Sequence, residues 1–426
     1  MSDLNRLTAA EAARQIAVGK ITSEALVRDC LQRIKLRDSD VRAWVHYEPE
    51  AAIAQAKAID KARPEGPLAG VPVGFKDVID THDLPTQYNS PIYRAHRPHI
   101  DAAAAALVRH AGGVVLGKTV TTEFATRKPG PTRNPHNLEH TPGGSSSGSA
   151  AAVADFMVPL AFGTQTGGST IRPAAYCGIV GYKPSFGTIN RAGLKFVAES
   201  LDTIGVMART VEDCALLVHA VSARAMPDLR TKLPHAPRIG FCKTSRWKEA
   251  SSEVRISLET AASSLALAGA EVEDLVLPAD FDRLYDEQEL IMNFEAARAL
   301  ADERFRYSDG LSDSLRKKLE EHWVMPRARY DDAIGHVREC RHAYEAAFSE
   351  VDVLLTPSAP GEALKGLEST GSSIFNRNWT LLGAPCVTLP FGRGAQSLPL
   401  GIQIVGPYDG DARVLQVAEW VKQMLA

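Results

Sequence analysis

The sequence predicts an α/β fold, on three observations. Residues 68–75 form an apolar strand signal that ends at Lys76. An alanine-rich helix capped by Asp101 reaches about His110, stops at Gly112-Gly113 and leads into a second apolar strand at 114–116. The alternation returns after Asp213, with a strand at 238–242, a helix at 252–268 and a strand at 271–277. Strands that alternate with helices build a sheet, because each helix buries its apolar face against that sheet.

Taken in order, the chain opens with helices. Thr8-Ala9-Ala10-Glu11 is a capping-box pattern, in which the threonine hydroxyl accepts from a backbone N–H three residues on. That helix runs to about Val18, and Gly19 can end it. Thr22 or Ser23 caps a second helix, with Val27, Leu31 and Ile34 along one side. Pro49 opens a third, alanine-rich helix that runs to Arg63. None of the three gathers polar groups, so they read as scaffold.

The strand at 68–75 delivers Lys76 to its C-terminal end, and strand alternation turns Asp77 away from it. Gly112 to Thr119 spells a phosphate-binding loop. An apolar strand fills the spacer where a phosphate cradle belongs, however, and no helix signal follows Thr119, so the match is discounted. A strand is expected at 158–162 and a helix at 150–155. Further helices are expected at 287–304 and 411–425, and strands at 351–356 and 400–405.

The composition fits a globular chain with ample core material: 45% hydrophobic and 23% charged residues among 426. A net charge of −3 leaves no nucleic-acid or membrane footprint. No apolar run is long enough to span a bilayer. Met1 to Arg6 lack the basic-then-apolar pattern of a secretory signal. The six cysteines are scattered, without Cys-x-x-Cys, which fits reduced thiols in a cytoplasmic protein. Cys177 reads as packing. The 12 histidines show no metal spacing, so no metal is expected.

Chemistry concentrates in two glycine-serine turns. The first is Gly143-Gly144-Ser145-Ser146-Ser147-Gly148. The second is Gly163-Thr164-Gln165-Thr166-Gly167-Gly168-Ser169-Thr170-Ile171-Arg172. Glycine lets backbone N–H groups converge, and convergent N–H groups stabilise an oxyanion. Gly144-x-Ser146-x-Gly148 also spells a nucleophile elbow, but an elbow follows a strand, and residues 134–142 are polar and turn-rich. The second turn does follow a strand signal, which favours Ser169 as nucleophile.

These turns, with Gly74-Phe75-Lys76-Asp77 upstream, resemble the amidase signature family. Flanking pieces match too: Leu68-Ala69-Gly70-Val71-Pro72-Val73, Gly178-Ile179-Val180-Gly181-Tyr182-Lys183-Pro184-Ser185 and Ser200-Leu201-Asp202-Thr203-Ile204-Gly205. Within the family the chain is most similar to small bacterial amidases of the malonamidase kind, which share the Thr-Gln-Thr-Gly-Gly-Ser-x-Ile-Arg form of the second turn.

The resemblance implies one domain, 1–426: a helical part to about residue 65, a signature core at about 66–215, and a remainder that completes sheet and pocket. It implies a large mixed, twisted central sheet covered by helices on both faces. It makes Ser169 the nucleophile, Ser145 (after a cis peptide bond) the proton relay and Lys76 the base. It assigns the oxyanion hole to the N–H groups of Thr166, Gly167, Gly168 and Ser169. To act as base at neutral pH, Lys76 needs its pKa lowered by ~3 units, about 4 kcal/mol, which burial can supply.

Substrate contact is expected from Arg172, whose guanidinium suits a carboxylate; its alternative role is a structural one, holding the turn. Thr126, Arg127, Gly143, Gly144, Thr164, Met292 and Asn376 are the other candidates. Thr164 is also expected to orient Ser145, and Trp379 stands between pocket and core. Met292 takes the place of a glutamine that helps bind the carboxylate in the malonamidase-like branch, which suggests a more apolar acyl pocket.

The implied activity is hydrolysis of a small amide through an acyl-enzyme. The implied partner is that small-molecule substrate, with no cofactor, no nucleic acid and no membrane; a homodimer is common in the family. Two alternatives stay open: an aryl-amide or carbamate hydrolase, and the glutaminase subunit of a tRNA-dependent amidotransferase. Gln165, where the latter usually has aspartate, and the register of Arg172 count against the second.

Overall fold

The strands are short, and most are buried on both sides. In chain order they are β1 (Trp44–Tyr47), β2 (Pro72–Lys76), β3 (Val114–Thr119), β4 (Leu160–Gln165), β5 (Val180–Lys183) and β6 (Thr203–Ala208). After these come β7 (Arg238–Phe241), β8 (Glu271–Asp274), β9 (Val353–Pro357), β10 (Cys386–Arg393) and β11 (Pro399–Val405). Every residue of β2, β3, β4, β5, β6, β9 and β11 is buried. A strand buried on both faces needs cover on both faces, and helices supply it. The structure is a computed structural model that describes residues 3–63, 65–231 and 233–426. Met1 and Ser2, which open the N-terminal stretch without a secretory pattern, lie outside the described residues.

All eleven strands join one sheet in the order β1-β3-β2-β4-β6-β5-β10-β11-β9-β7-β8. The sheet is mixed. β2 runs parallel to β3 and β4, and β7 runs parallel to β8 and β9. The joints β4–β6, β5–β6, β5–β10 and β10–β11 are antiparallel. At one edge β8 exposes Glu271, Glu273 and Asp274, charges that discourage pairing with another strand.

This topology positions the site. Val73 and Phe75 of β2 lie opposite Leu160 and Phe162 of β4, so Lys76 and Thr164 emerge at the same end of neighbouring strands. β4 pairs Gln165 with Thr203 of β6, which brings Asp202 to that end as well.

Several expectations need correction. Asp101 does not cap the helix Ala103–His110: the cap is Ala102, with no side-chain bond. Asp101 instead accepts from the His82 N–H at 2.9 Å and from Arg109 Nε at 2.9 Å. The strand expected at 68–75 is β2, which begins only at Pro72 because residues 67–70 form a turn; the one expected at 114–116 runs on to Thr119, and the one expected at 158–162 is β4, displaced to Leu160–Gln165. The helix expected at 150–155 already opens at Ser147. The strand expected at 271–277 stops at Asp274. The helix expected at 287–304 is two, Leu284–Ala299 and Ala301–Arg306, because Leu300 leaves helical geometry with ψ 33°. The Thr8 cap holds, accepting from the Glu11 N–H at 3.1 Å, and Thr22 rather than Ser23 caps the second helix. The strands β1, β5, β6 and β10 were not anticipated.

Candidate active site

Lys76 is fully buried at the end of β2. Its Nζ lies 2.6 Å from Ser145 Oγ and 2.7 Å from Thr164 Oγ1. Burial lowers its pKa from 10.5 to about 7; the charge of Asp202 opposes the change and that of Arg172 adds to it. Asp202 is itself pushed up to about 6 by burial, against hydrogen bonds from the Thr166 hydroxyl and the N–H groups of Val197 and Ala198. The Gly144–Ser145 peptide bond is cis.

The first turn is held from several sides. Ser147 Oγ donates to the Gly143 carbonyl at 2.8 Å. Ser146 Oγ accepts from the Thr164 N–H at 3.2 Å, is fully buried, and thereby stitches the first turn to β4. The elbow reading of Ser146 therefore falls. The helix Ser147–Ala154 starts two residues after Ser145, so its N-terminal partial charge lies beside that hydroxyl.

The second turn forms one wall of a cavity of about 520 Å³, to which Thr166, Gly167, Gly168, Ser169 and Arg172 all contribute. No backbone–backbone hydrogen bond among the described residues uses the N–H of Gly167, Gly168 or Ser169. The turn is braced from behind. Gln165 Oε1 accepts from the N–H groups of Thr170 and Ile171 at 2.9 and 3.1 Å, and its Nε2 donates to Thr380 Oγ1 at 2.9 Å. The Thr166 carbonyl accepts from Gln288 Nε2 at 2.8 Å.

Arg172 joins both turns. Its Nη2 donates to the Gly144 carbonyl and, at 3.2 Å, to Thr370 Oγ1, while the residue borders the cavity. Burial pulls its pKa down to about 10, and the charges of Arg377 and Arg127 press the same way against Tyr176.

The other expected contacts divide. Thr126, Arg127 and Met292 line the cavity. Gly143, Gly144, Thr164 and Asn376 are not on its wall. Thr164 Oγ1 bonds to Lys76 Nζ, because its hydroxyl and the lysine tip leave adjacent strands at the same end. Asn376 is fully buried behind Gly168, with its Nδ2 3.1 Å from the Ser358 carbonyl. Gly144 acts through its carbonyl, which Arg172 holds. Trp379 is core, packed near Tyr344.

Two residues went unread in the sequence. Gln288 lies one helical turn before Met292 and restores an amide to the pocket. Asp202 sat within a matched flank, but only the pairing of β4 with β6 shows it facing Lys76 and Thr166. Elsewhere, the phosphate-loop spelling is settled by Lys118, a buried β3 side chain bonded to the Ile79 carbonyl and to Thr86 Oγ1 at 2.7 and 2.6 Å. All six cysteines are free and buried.

Comparison with known proteins gives the family and the fold. Residues 25–415 match the family described as Amidase. A glutamyl-tRNA(Gln) amidotransferase subunit of Mycobacterium tuberculosis is 34% identical over 485 residues, covering 98% of this chain and 97% of the relative. A crystal structure of an amidase superposes with a TM-score of 0.89 at 28% identity, covering 99% of this chain and 100% of that one. The native peptide amidase of Stenotrophomonas maltophilia gives a TM-score of 0.85 at 28% identity over 98% and 96% of the two chains. With the match spanning nearly its whole length, the chain belongs to the amidase family.

Proposed function

We propose that the protein hydrolyses the C–N bond of a small linear amide through an acyl-enzyme on Ser169. One observation carries the reading: the buried Lys76 amine lies 2.6 Å from Ser145 Oγ and 2.7 Å from Oγ1 of Thr164, two residues before the turn from Thr166 to Ser169 that walls the cavity. Neutral Lys76 takes the Ser145 proton, Ser145 takes the Ser169 proton, and Ser169 Oγ attacks the carbonyl carbon. The N–H groups of Thr166, Gly167, Gly168 and Ser169 receive the oxyanion, typically about 3 kcal/mol per donor. The relay returns a proton to the leaving nitrogen, and the C–N bond breaks. Water then attacks the acyl carbon by the same relay and frees the acid and Ser169. Arg172, Thr126, Arg127 and Met292 contact substrate.

Separate Ser169→Ala, Ser145→Ala and Lys76→Ala variants test the assignments by steady-state ammonia or amine release. The expected loss in kcat is about 10²-fold or more for each. Near-normal turnover in any one removes that residue from the mechanism.

A second reading is the glutaminase subunit of a tRNA-dependent amidotransferase, and the curated relatives favour it. They are named as glutamyl-tRNA(Gln) amidotransferase subunits and match along almost their full length. The chemistry at Ser169 is the same; the substrate and the company differ. Ammonia release confined to glutamine, together with copurification of partner subunits, selects this reading. Turnover of simple amides by the isolated chain selects the first. A cytoplasmic setting and a homodimer belong with the first reading.

A further inference from the structure

Resting on the hydrolase reading, we propose that the cavity takes amides whose far end carries a carboxylate, read at the mouth by Arg127, Lys318 and Arg377. These three cations come from three separate parts of the chain. Arg127 follows a short turn after β3, Lys318 lies on the helix Asp313–Trp323, and Arg377 opens the helix Arg377–Leu381. All three line the cavity.

They converge on one carboxylate. Glu289 pairs with Arg127, with Lys318 Nζ at 3.1 Å and with Arg377 Nη1 at 3.3 Å. Burial works against the Glu289 charge, yet the Lys318 hydrogen bond and the three cations hold its pKa below the usual range. One carboxylate cannot neutralise three cations. Arg172, a buried residue, adds a fourth charge to the wall, and the one carboxylate on the wall among the described residues, Glu368, is exposed. The mouth therefore keeps a positive excess where the cavity opens to solvent, and a substrate anion would complete it.

Part of the cavity wall is apolar. Met292 and Ala296 face it from the helix Leu284–Ala299, and Leu315 and Leu319 from the helix that carries Lys318. A substrate suited to this cavity has a scissile amide at one end, a methylene spacer against the apolar wall and a carboxylate at the other end. Arg172 is held to Gly144 and Thr370 through Nη2 and borders the cavity apart from the Glu289 cluster, so it contacts substrate without belonging to this group of readers.

The experiment compares the monoamides of glutarate and adipate with pentanamide and hexanamide, by ammonia release. The acid-ended amides are expected to have the higher kcat/KM, and added salt to narrow the ratio. Arg127→Gln or Lys318→Gln should each lower that ratio on the order of threefold, as for a partly exposed charge pair. Glu289→Gln should raise it, a change of opposite sign that a merely structural role does not produce. A ratio indifferent to both cation variants, or lowered by Glu289→Gln, overturns the proposal.

Calorimetric binding of adipamate and hexanamide to the Ser169→Ala protein reads the mouth without turnover. Tighter binding of adipamate, lost in Arg127→Gln, supports the mouth even if the wild type cleaves neither amide; in that case the hydrolase reading falls. Equal binding overturns the mouth even if both amides are cleaved.

Discussion

Lys76 Nζ and Ser145 Oγ are 2.6 Å apart in a place where the ammonium is disfavoured. The lysine reaches this hydroxyl because β2 ends where β4 does. Its flanks Val73, Phe75, Val78 and Ile79 are all buried, so little water reaches the amine. An ordinary surface lysine would stay charged and could not take a proton.

The first prediction concerns pH. With burial lowering Lys76 to about 7, the proposed base is neutral above that value. The acid limb of kcat/KM should rise as pH climbs through about 7. Stability carries the same signature. Between 7 and 10.5 the unfolded chain holds one more proton at this lysine than the folded chain, so wild-type stability rises with pH across that window. In Lys76→Met this contribution is absent. The melting temperature of the variant relative to wild type should therefore fall as pH goes from about 7 to about 10, measured by scanning calorimetry. The window set by Asp202, from 3.8 to about 6, lies below and has the opposite sign.

The second prediction concerns the pair behind the site. Lys118 Nζ lies 3.4 Å from Asp77 Oδ1, and both side chains are fully buried. Burial pushes Asp77 up, and the Lys118 charge opposes it. Lys118→Met would leave Asp77 buried without its cation. The expected cost is about 3–5 kcal/mol of unfolding free energy, read from denaturant melts at neutral pH.

The third concerns Gly148, where a Cβ would collide with the backbone of Ala43 and Val120. Neither neighbour is a flexible side-chain tip: Val120 follows β3 and Ala43 precedes β1. Gly148→Ala should destabilise the fold by about 1–3 kcal/mol. Because the helix containing Gly148 follows Ser145 directly, kcat should fall in the same variant under conditions where it remains folded. Circular dichroism melts and steady-state rates check the two effects separately.

Local signals made much of this legible in the sequence. The Thr8 and Thr22 caps, the strand carrying Lys76 and the helix at 252–268 each follow from a few adjacent residues. The two turns were readable because glycine and serine cluster there densely. What escaped depends on pairing. Gly181 and Gly205 sit inside β5 and β6, and glycine does not advertise a strand; these strands form because each lies against an already buried neighbour. Asp101 fits a helix cap by composition, but Arg109, two turns along, draws its carboxylate away. Gln288 occurs in a polar helical stretch, and nothing near it in sequence says that Thr166 will arrive at its amide.

The strand order has a consequence for how this enzyme can change. The strands of the first 208 residues occupy one side of the sheet and those of residues 238–405 the other, joined at the β5–β10 seam. Lys76, Ser145 and Ser169 all come from the first part. Gln288, Met292, Leu315, Lys318 and Arg377 come from the second. On the proposed assignment the reacting groups lie in the first stretch of the gene, and the pocket wall draws on both, with Thr126, Arg127 and Arg172 from the first and the helices after residue 284 from the second. A mutational library confined to codons 284–377 varies what enters the pocket while leaving the strand and turns that hold Lys76, Ser145 and Ser169 unaltered.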